Sequence, residues 1–512
     1  MKIYANQSTP TCPVTSDSVR ADARAAFDDL VRFCETCEST FALFETQLFV
    51  LMAALGGRLI RLFLTARHER LDLQPHLLDG KYRPGAEYAE RTLKTFYGEV
   101  TYGRQYLMSR SGGSGFFPLD VVLGLTRDRL TPWLMQWVAR LATRASFKAS
   151  QMACKAVLNW APATETIEQV VLGMGRDAAP FMKQLPAPSK DGDVLVIEID
   201  GKCPPTASAE ELAKRRGKRK PKHAQNCKCQ RHRGRAKRQA RGTKKRRKRG
   251  SKSKNGKEVI VVVMYTLQRG DDSKLHGPIN KNLYATFAGK KAAALWARAE
   301  ATKRGFGPDT TKIVQVVLDG AKGLKKKMMA QFPKAIYTLD VCHVVEKLWA
   351  LGRHFHKEGS DELQAWVDEL KEQVYGGQAE KLVARLKELL LREPNKGPGT
   401  KARRKSLKSL IGYLEARLDM MCYAEWVKQD LVIASGQVEG AVRHLVGERF
   451  DCAGMRWTKG KAEALLHLRC IELNGDWEKF VTWFQVTIQA RLEKTKRHKV
   501  LTDQPLTITK AA

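Results

Sequence analysis

Residues Thr311–Leu348 read TKIVQVVLDGAKGLKKKMMAQFPKAIYTLDVCHVVEKL, and the fold depends on how that stretch divides. An apolar, β-branched run from Ile313 to Leu318 stops on Asp319 and Gly320. A second run, Ala335 to Leu339, stops on Asp340, three residues before His343. Runs of this length and composition read as buried strands. Between them, Leu324 to Phe332 has helical character and closes at Pro333. Strand, helix, strand predicts a parallel pair, because parallel neighbours need a crossover of about this length. Both carboxylates then leave the ends of strands, where open α/β sheets carry their chemistry. Each acid alone fits a local role equally well, Asp319 opening a turn with Gly320 and Asp340 capping the next helix.

The 512 residues, 43% of them apolar, suffice for roughly two to four domains with ordinary cores. A formal charge of +36 points to a polyanionic partner, nucleic acid first. Between Lys214 and Lys257 stand 23 Lys and Arg with no acid, so the bias is concentrated there without being confined to it. Eleven cysteines without a dense framework, in a chain beginning MKIYANQSTP with no apolar signal core, indicate a reducing cytoplasm. The most apolar early segment, Leu48 to Gly56, is too short to span a bilayer, so no transmembrane helix and no membrane partner are expected.

Taken in order, residues 1–20 read as a flexible arm and 21–185 as a mainly helical N-terminal region. Within it Cys34 and Cys37 form a lone CxxC, expected to be buried thiols rather than a metal site. Arg91 to Met108 alternates like a β-hairpin around Gly98, and Phe147 to Gly175 offers helix, break at Pro162, helix. That spacing suits either a DNA-reading helix-turn-helix or a plain helical hairpin. Val194 to Asp200, VLVIEID, repeats the arrangement at Asp319: a near-continuous apolar strand ending on an acid followed by a glycine.

The insertion 203–257 is basic and of low complexity, and predicts a segment that stays disordered or folds only on its partner. Arg231, Arg233, Arg235, Lys244, Lys245, Arg246, Arg247, Lys248 and Arg249 would bind phosphates there without reading sequence. Cys227, Cys229 and His232 form a CxCxxH cluster, a weak zinc candidate that needs a fourth ligand such as Cys203 or His223. Further strands are expected at Val259–Leu267 and Leu283–Phe287, with a helix from Lys290 to Arg304. Residues 351–429 read as a helical insertion. In 430–494, Ser435 stands as the N-cap of a helix carrying Glu439, and 495–512 form a tail.

Asp200, Asp319 and Glu439 are thus the acids that stand out. Hard cations such as Mg²⁺ or Mn²⁺ take carboxylate oxygens together with substrate phosphate, and two such ions serve phosphodiester chemistry. An acidic site in a strongly basic chain is what nucleic-acid cleavage requires. Glu439 alone would pass for a first-turn acid favoured by the helix dipole.

The phrases VIEIDGK, VVLDGAKGL with FPKAIYTLDVCHVVEKL, and GQVEGAVRHLVGERFDCAGMRW resemble the three acidic motifs of bacterial insertion-sequence transposases of the DDE type. The resemblance is closest to the Kra group, with kinship to Mutator-like elements, and covers roughly Thr92 to Trp483. It implies an RNase H-like α/β catalytic domain, 190–350 and 430–494, split by the helical insertion, with an N-terminal region that binds DNA ends. Position by position, it puts the catalytic, Mg²⁺-binding roles on Asp200, Asp319 and Glu439, and supporting roles on Asp340 and His343. It further implies double-stranded DNA as partner, both element ends and target, a homo-oligomer on DNA, a nucleoid-associated location, and cleavage followed by strand transfer. Glu448 is the rival third acid. Two other readings stay open: an RNase H-like nuclease or resolvase, and a non-enzymatic nucleic-acid-binding protein in which the acids are caps.

Overall fold

The computed structural model describes residues 14–158, 160–208, 210, 257–452 and 455–495. The CxCxxH cluster and all nine basic residues expected to bind phosphates lie outside them. The fold is mixed α/β, with a helical N-terminal region and a mixed sheet. Two units make it up, one from the chain up to Gln184 joined by the stretch beginning at Ile471, the other from Leu185–Cys470.

In the first unit, helices Ser16–Thr36 and Phe41–Glu69 pack antiparallel, the backbone amide of Ser16 donating to Glu69 at 2.7 Å. Two expectations change here. Cys34 is exposed and Cys37 half-buried, because Phe33 is the residue that meets the partner helix, stacking on Phe44 with centroids 5.5 Å apart. The apolar segment also extends well beyond Leu48–Gly56. Gly56 and Gly57 do not end the helix; they admit the Tyr97 ring, which a Cβ on Gly56 would meet at 2.3 Å. By length and composition this 29-residue helix could cross a membrane, and 22% of its most apolar window is buried.

Strands β1 (Tyr82–Thr95) and β2 (Gly98–Ser109) form the expected hairpin, beginning nine residues before Arg91. Thr95 pairs with Gly98, whose φ of +97° suits glycine. Helices Phe147–Leu158 and Thr164–Gln184 flank the break at Pro162. The last helix, Trp477–Thr495, joins this unit through Arg491, which forks onto Asp177 at 2.6 and 2.8 Å.

The second unit is organised by a five-stranded sheet of β3 (Val194–Lys202), β4 (Val259–Arg269), β5 (Leu275–Thr286), β6 (Ile313–Leu318) and β7 (Ile336–Leu339). Their order is β5-β4-β3-β6-β7, with β3, β6 and β7 parallel and β4 antiparallel to both its neighbours. Val, Ile and Leu dominate β3, β4 and β6, and even Glu198, Thr266 and Gln315 among them are buried, because both faces are covered and the side chains have no solvent side to alternate with. Helix Lys322–Met329 makes the crossover from β6 to β7. Helices Asp361–Tyr375, Ala379–Arg392, Thr400–Glu415 and Tyr423–Lys428 form the insertion. The helix Gly436–Val442 then returns to pack on β3 and β4, and runs through a π turn, Arg443–Gly447, into Glu448–Phe450.

The insertion holds the sheet's edge from outside. Arg417, buried, donates through Nε to the Gly320 carbonyl at 2.9 Å and through Nη1 to the Tyr413 carbonyl at 2.6 Å. Tyr413 donates to the Asp319 carbonyl at 3.0 Å and Tyr423 to the Leu339 carbonyl at 2.8 Å. Gly320 is required twice over: its φ is +79°, and a Cβ would lie 2.5 Å from Arg417 Nε. Gly320→Ala is therefore expected to destabilise the protein by about 2 kcal/mol, the sum of a left-handed alanine and a displaced arginine. Urea unfolding of the purified protein would read the loss. An unchanged midpoint would show that the turn relaxes freely.

Candidate active site

Register places the acids. Ile199 of β3 faces Leu318 of β6, and Leu318 faces Leu339 of β7. The next residues, Asp200, Asp319 and Asp340, therefore stand in a row across three parallel strand ends, about 4.8 Å from one to the next. β6 and β7 stop just before their acids, whereas β3 continues two residues past Asp200, paired with β4 as far as Lys202. Asp319 Oδ1 accepts from the Ala321 amide at 2.8 Å, and Asp340 Oδ1 accepts from the Cys342 amide at 3.0 Å to cap the helix Val341–Gly352. The local roles that the sequence allowed are thus both present, and each is combined with a place in the row.

Glu439 reaches the row from the helix Gly436–Val442. Ligand atoms of Asp340, His343 and Glu439 all lie within 4.8 Å of one another, a group able to hold a metal ion. Asp340 is completely buried and saturated with donors: the Cys342 amide, the Ser435 amide at 3.2 Å, the Ser435 hydroxyl at 2.7 Å and His343 Nδ1 at 2.5 Å. Ser435 occupies the expected N-cap position, but its hydroxyl is spent on Asp340 and makes no cap bond. Glu448 sits apart, bonded to His444 Nδ1 at 2.7 Å and 3.8 Å from Arg469.

The electrostatics show crowded negative charge. Burial, then the charges of Asp319 and Asp340, push Asp200 above the ordinary carboxylate value. Burial, then Asp340, Glu346 and Asp200, push Glu439 up as well. For Asp340 burial is outweighed by the hydrogen bonds from His343, Ser435 and Cys342, which hold it below its ordinary value. His343 is raised to about 9, chiefly by its hydrogen bond to Asp340, and so carries a positive charge at neutral pH.

A group raised in the folded state contributes stability that is complete below its unfolded value, here about 6.5, and is lost as pH rises through about 9. In EDTA, His343→Gln should therefore lower Tm by about 2–4 °C at pH 6 and by much less at pH 10, where the wild-type ring is already neutral. Equal losses at both pH values would remove the charge argument.

Glu198 is a residue that the sequence reading passed over. It lies two positions before Asp200 on the same face of β3, fully buried, and bridges to the helix carrying Glu439. Its Oε1 accepts from Tyr265 Oη at 2.7 Å and its Oε2 from the Val438 amide at 2.8 Å. Glu198 thus satisfies the helix N-terminus that Ser435 leaves uncapped. Burial raises its pKa. The available signal was the acid inside an otherwise unbroken apolar strand, VLVIEID. Tyr413, Arg417 and Tyr423 were invisible as partners because they lie about a hundred residues from the carbonyls they hold.

The donor set suits a hard divalent cation. Asp200 and Glu439 are both raised by burial and then by neighbouring carboxylates, a crowding that a bound cation relieves.

Comparison with known proteins gives the following. The model of an uncharacterised protein family, UPF0236, matches residues 81–226. No curated protein matches the chain. Among solved structures, the Drosophila P element transposase strand transfer complex is similar at 11% identity and a TM-score of 0.27, over 69% of this chain and 94% of that one.

Proposed function

We propose that the protein is a DNA transposase of the DDE type, acting on the ends of an insertion sequence of the Kra group. The observation that carries this reading is the row of acids: Asp200 lies near the end of the first strand of the sheet in chain order, Asp319 follows the fourth, and after a helical insertion Glu439 comes beside Asp340, the third member of the row. That is the order expected of an RNase H-like core with the three DDE acids in place. The +36 charge supports DNA as substrate.

Asp200, Asp319 and Glu439 would hold two Mg²⁺ or Mn²⁺ ions, which when bound supply Lewis acidity at the scissile phosphate. The chain's own contributions are positional. β3 and β6 set two carboxylates side by side, Glu198 and Asp340 fix the helix that delivers the third, and His343 balances their charge. No serine or tyrosine nucleophile is called for, and Asp340 and His343 act as supports, one saturated with donors and the other protonated.

The test is a nicking and joining assay on DNA carrying the element's own ends, with Mg²⁺ against EDTA. Metal-dependent nicking plus joining of the freed 3′ end to target DNA is expected. Nicking without joining would make the protein a nuclease or resolvase, and DNA binding with neither would make it a non-enzymatic binder.

A further inference from the structure

The hairpin of the first unit encloses a second polar cavity, of about 670 Å³, between β1, β2 and the loops that follow. Arg91, Arg104, Arg127 and Arg129 line it, with the rings of Tyr106 and Phe117. At its base Asp120 is fully buried and already neutralised. It pairs with Arg91 at 2.7 Å and with Arg104, and accepts from the Tyr102 hydroxyl at 2.9 Å. Arg91 also donates to the Asp128 carbonyl at 2.7 Å, which fixes the loop bearing Arg127 and Arg129.

Those two arginines are exposed and have no ion-pair partner among the described residues. Glu90, on the rim, is the remaining acid of the lining, so positive charge is in surplus. The Arg104 guanidinium lies 3.5 Å from the Phe117 ring centroid, and its Nε has no hydrogen-bond partner among the described residues. Burial lowers its pKa only to about 10, so it stays charged at neutral pH. The glycine-rich loop closes the cavity at Gly115, where a Cβ would lie 2.1 Å from the Leu107 carbonyl and 2.6 Å from the Tyr106 ring.

A concave site with fixed guanidinium forks, aromatic faces and uncompensated positive charge matches the chemistry of a phosphate ester. We propose that this cavity is a phosphate-binding site that grips the backbone of DNA, with Arg127 and Arg129 each contacting one phosphodiester. The assignment of DNA as the ligand rests on the transposase reading; the geometry of the site does not.

The full-length protein is titrated with a short duplex over a range of salt concentrations, without Mg²⁺. Arg127→Ala/Arg129→Ala should weaken binding and reduce the slope of log K against log salt by about 1.8, two phosphate contacts at ~0.9 each. Arg24→Ala/Arg67→Ala removes the same charge from exposed positions outside the cavity and should leave the slope unchanged. An unchanged slope in the first variant, or an equal drop in the second, overturns the proposal. ATP serves as the free-nucleotide probe: ATP binding that the first variant abolishes while its DNA slope stays intact also overturns it, in favour of a soluble ligand. Because the assay contains no metal and no cleavage is scored, a cleavage-dead wild type would defeat the transposase reading and leave this result standing.

Discussion

Asp319→Ala protein is expected to fold and to bind duplex DNA as the wild type does, while Mg²⁺-dependent nicking and joining fall by about a thousandfold or more, ~4 kcal/mol of barrier. The argument is positional. Asp319 sits between Asp200 and Asp340 in the row, at the end of a strand whose side chains are almost wholly buried. One oxygen caps the turn at Ala321, and Oδ2 accepts no hydrogen bond among the described residues. Losing the cap costs little, because the Gly320 carbonyl stays held by Arg417 and the Asp319 carbonyl by Tyr413. Asp200→Asn and Glu439→Gln should be equally inactive, and Glu448→Gln, whose carboxylate is engaged by His444, should keep its activity. Asp319→Ala protein within tenfold of wild type would end the DDE assignment. If Glu448→Gln were as dead as Glu439→Gln, the third acid would be misplaced and the enzyme class would survive.

Glu198→Ala is expected to lower stability by about 2–4 kcal/mol and Tm by on the order of 10 °C, since it leaves the Tyr265 hydroxyl and the Val438 amide buried without partners. Activity should fall further than folding explains, with kcat reduced more than KM, because the freed helix is the one that delivers Glu439. Glu198→Gln supplies the control. Its carbonyl can accept from Val438 while its amide donates to the Tyr265 oxygen, and the raised pKa of Glu198 means that a neutral side chain is tolerated at this position. The glutamine variant should recover most of both losses. If it fails as badly as alanine, the negative charge matters and Glu198 belongs with the site acids. If alanine melts early yet leaves kcat unchanged at a temperature where it is folded, Glu198 is structural alone.

Much of the second unit was legible from the chain. Strands Val194–Asp200, Val259–Leu267 and Ile313–Leu318 could be drawn within a residue or two because each is a nearly continuous apolar run, the mark of a strand covered on both faces. The acid–glycine pair marks the end of β6 at Asp319, whereas β3 runs two residues past Asp200 because β4 still pairs with it there. The first unit was read less well. Helical character was legible through this region, but the apolar stretch of the helix Phe41–Glu69 was underestimated at Leu48–Gly56, and Cys34 was misjudged because helical spacing does not say where the partner helix ends.

What the sequence determined by itself is local: which runs are strands, where each stops, and that acids stand at the stops. Tertiary structure alone decided that Asp200 stands beside Asp319, because the pairing of β3 with β6 joins residues more than a hundred positions apart, whereas the pairing of β6 with β7 is local enough to follow from the order strand, helix, strand. It alone gave Asp340 to Ser435, Glu198 to Val438 and Arg417 to Gly320. A buried carboxylate or guanidinium must find its partner wherever the fold brings one within about 3 Å, and periodicity along the chain carries no record of that meeting.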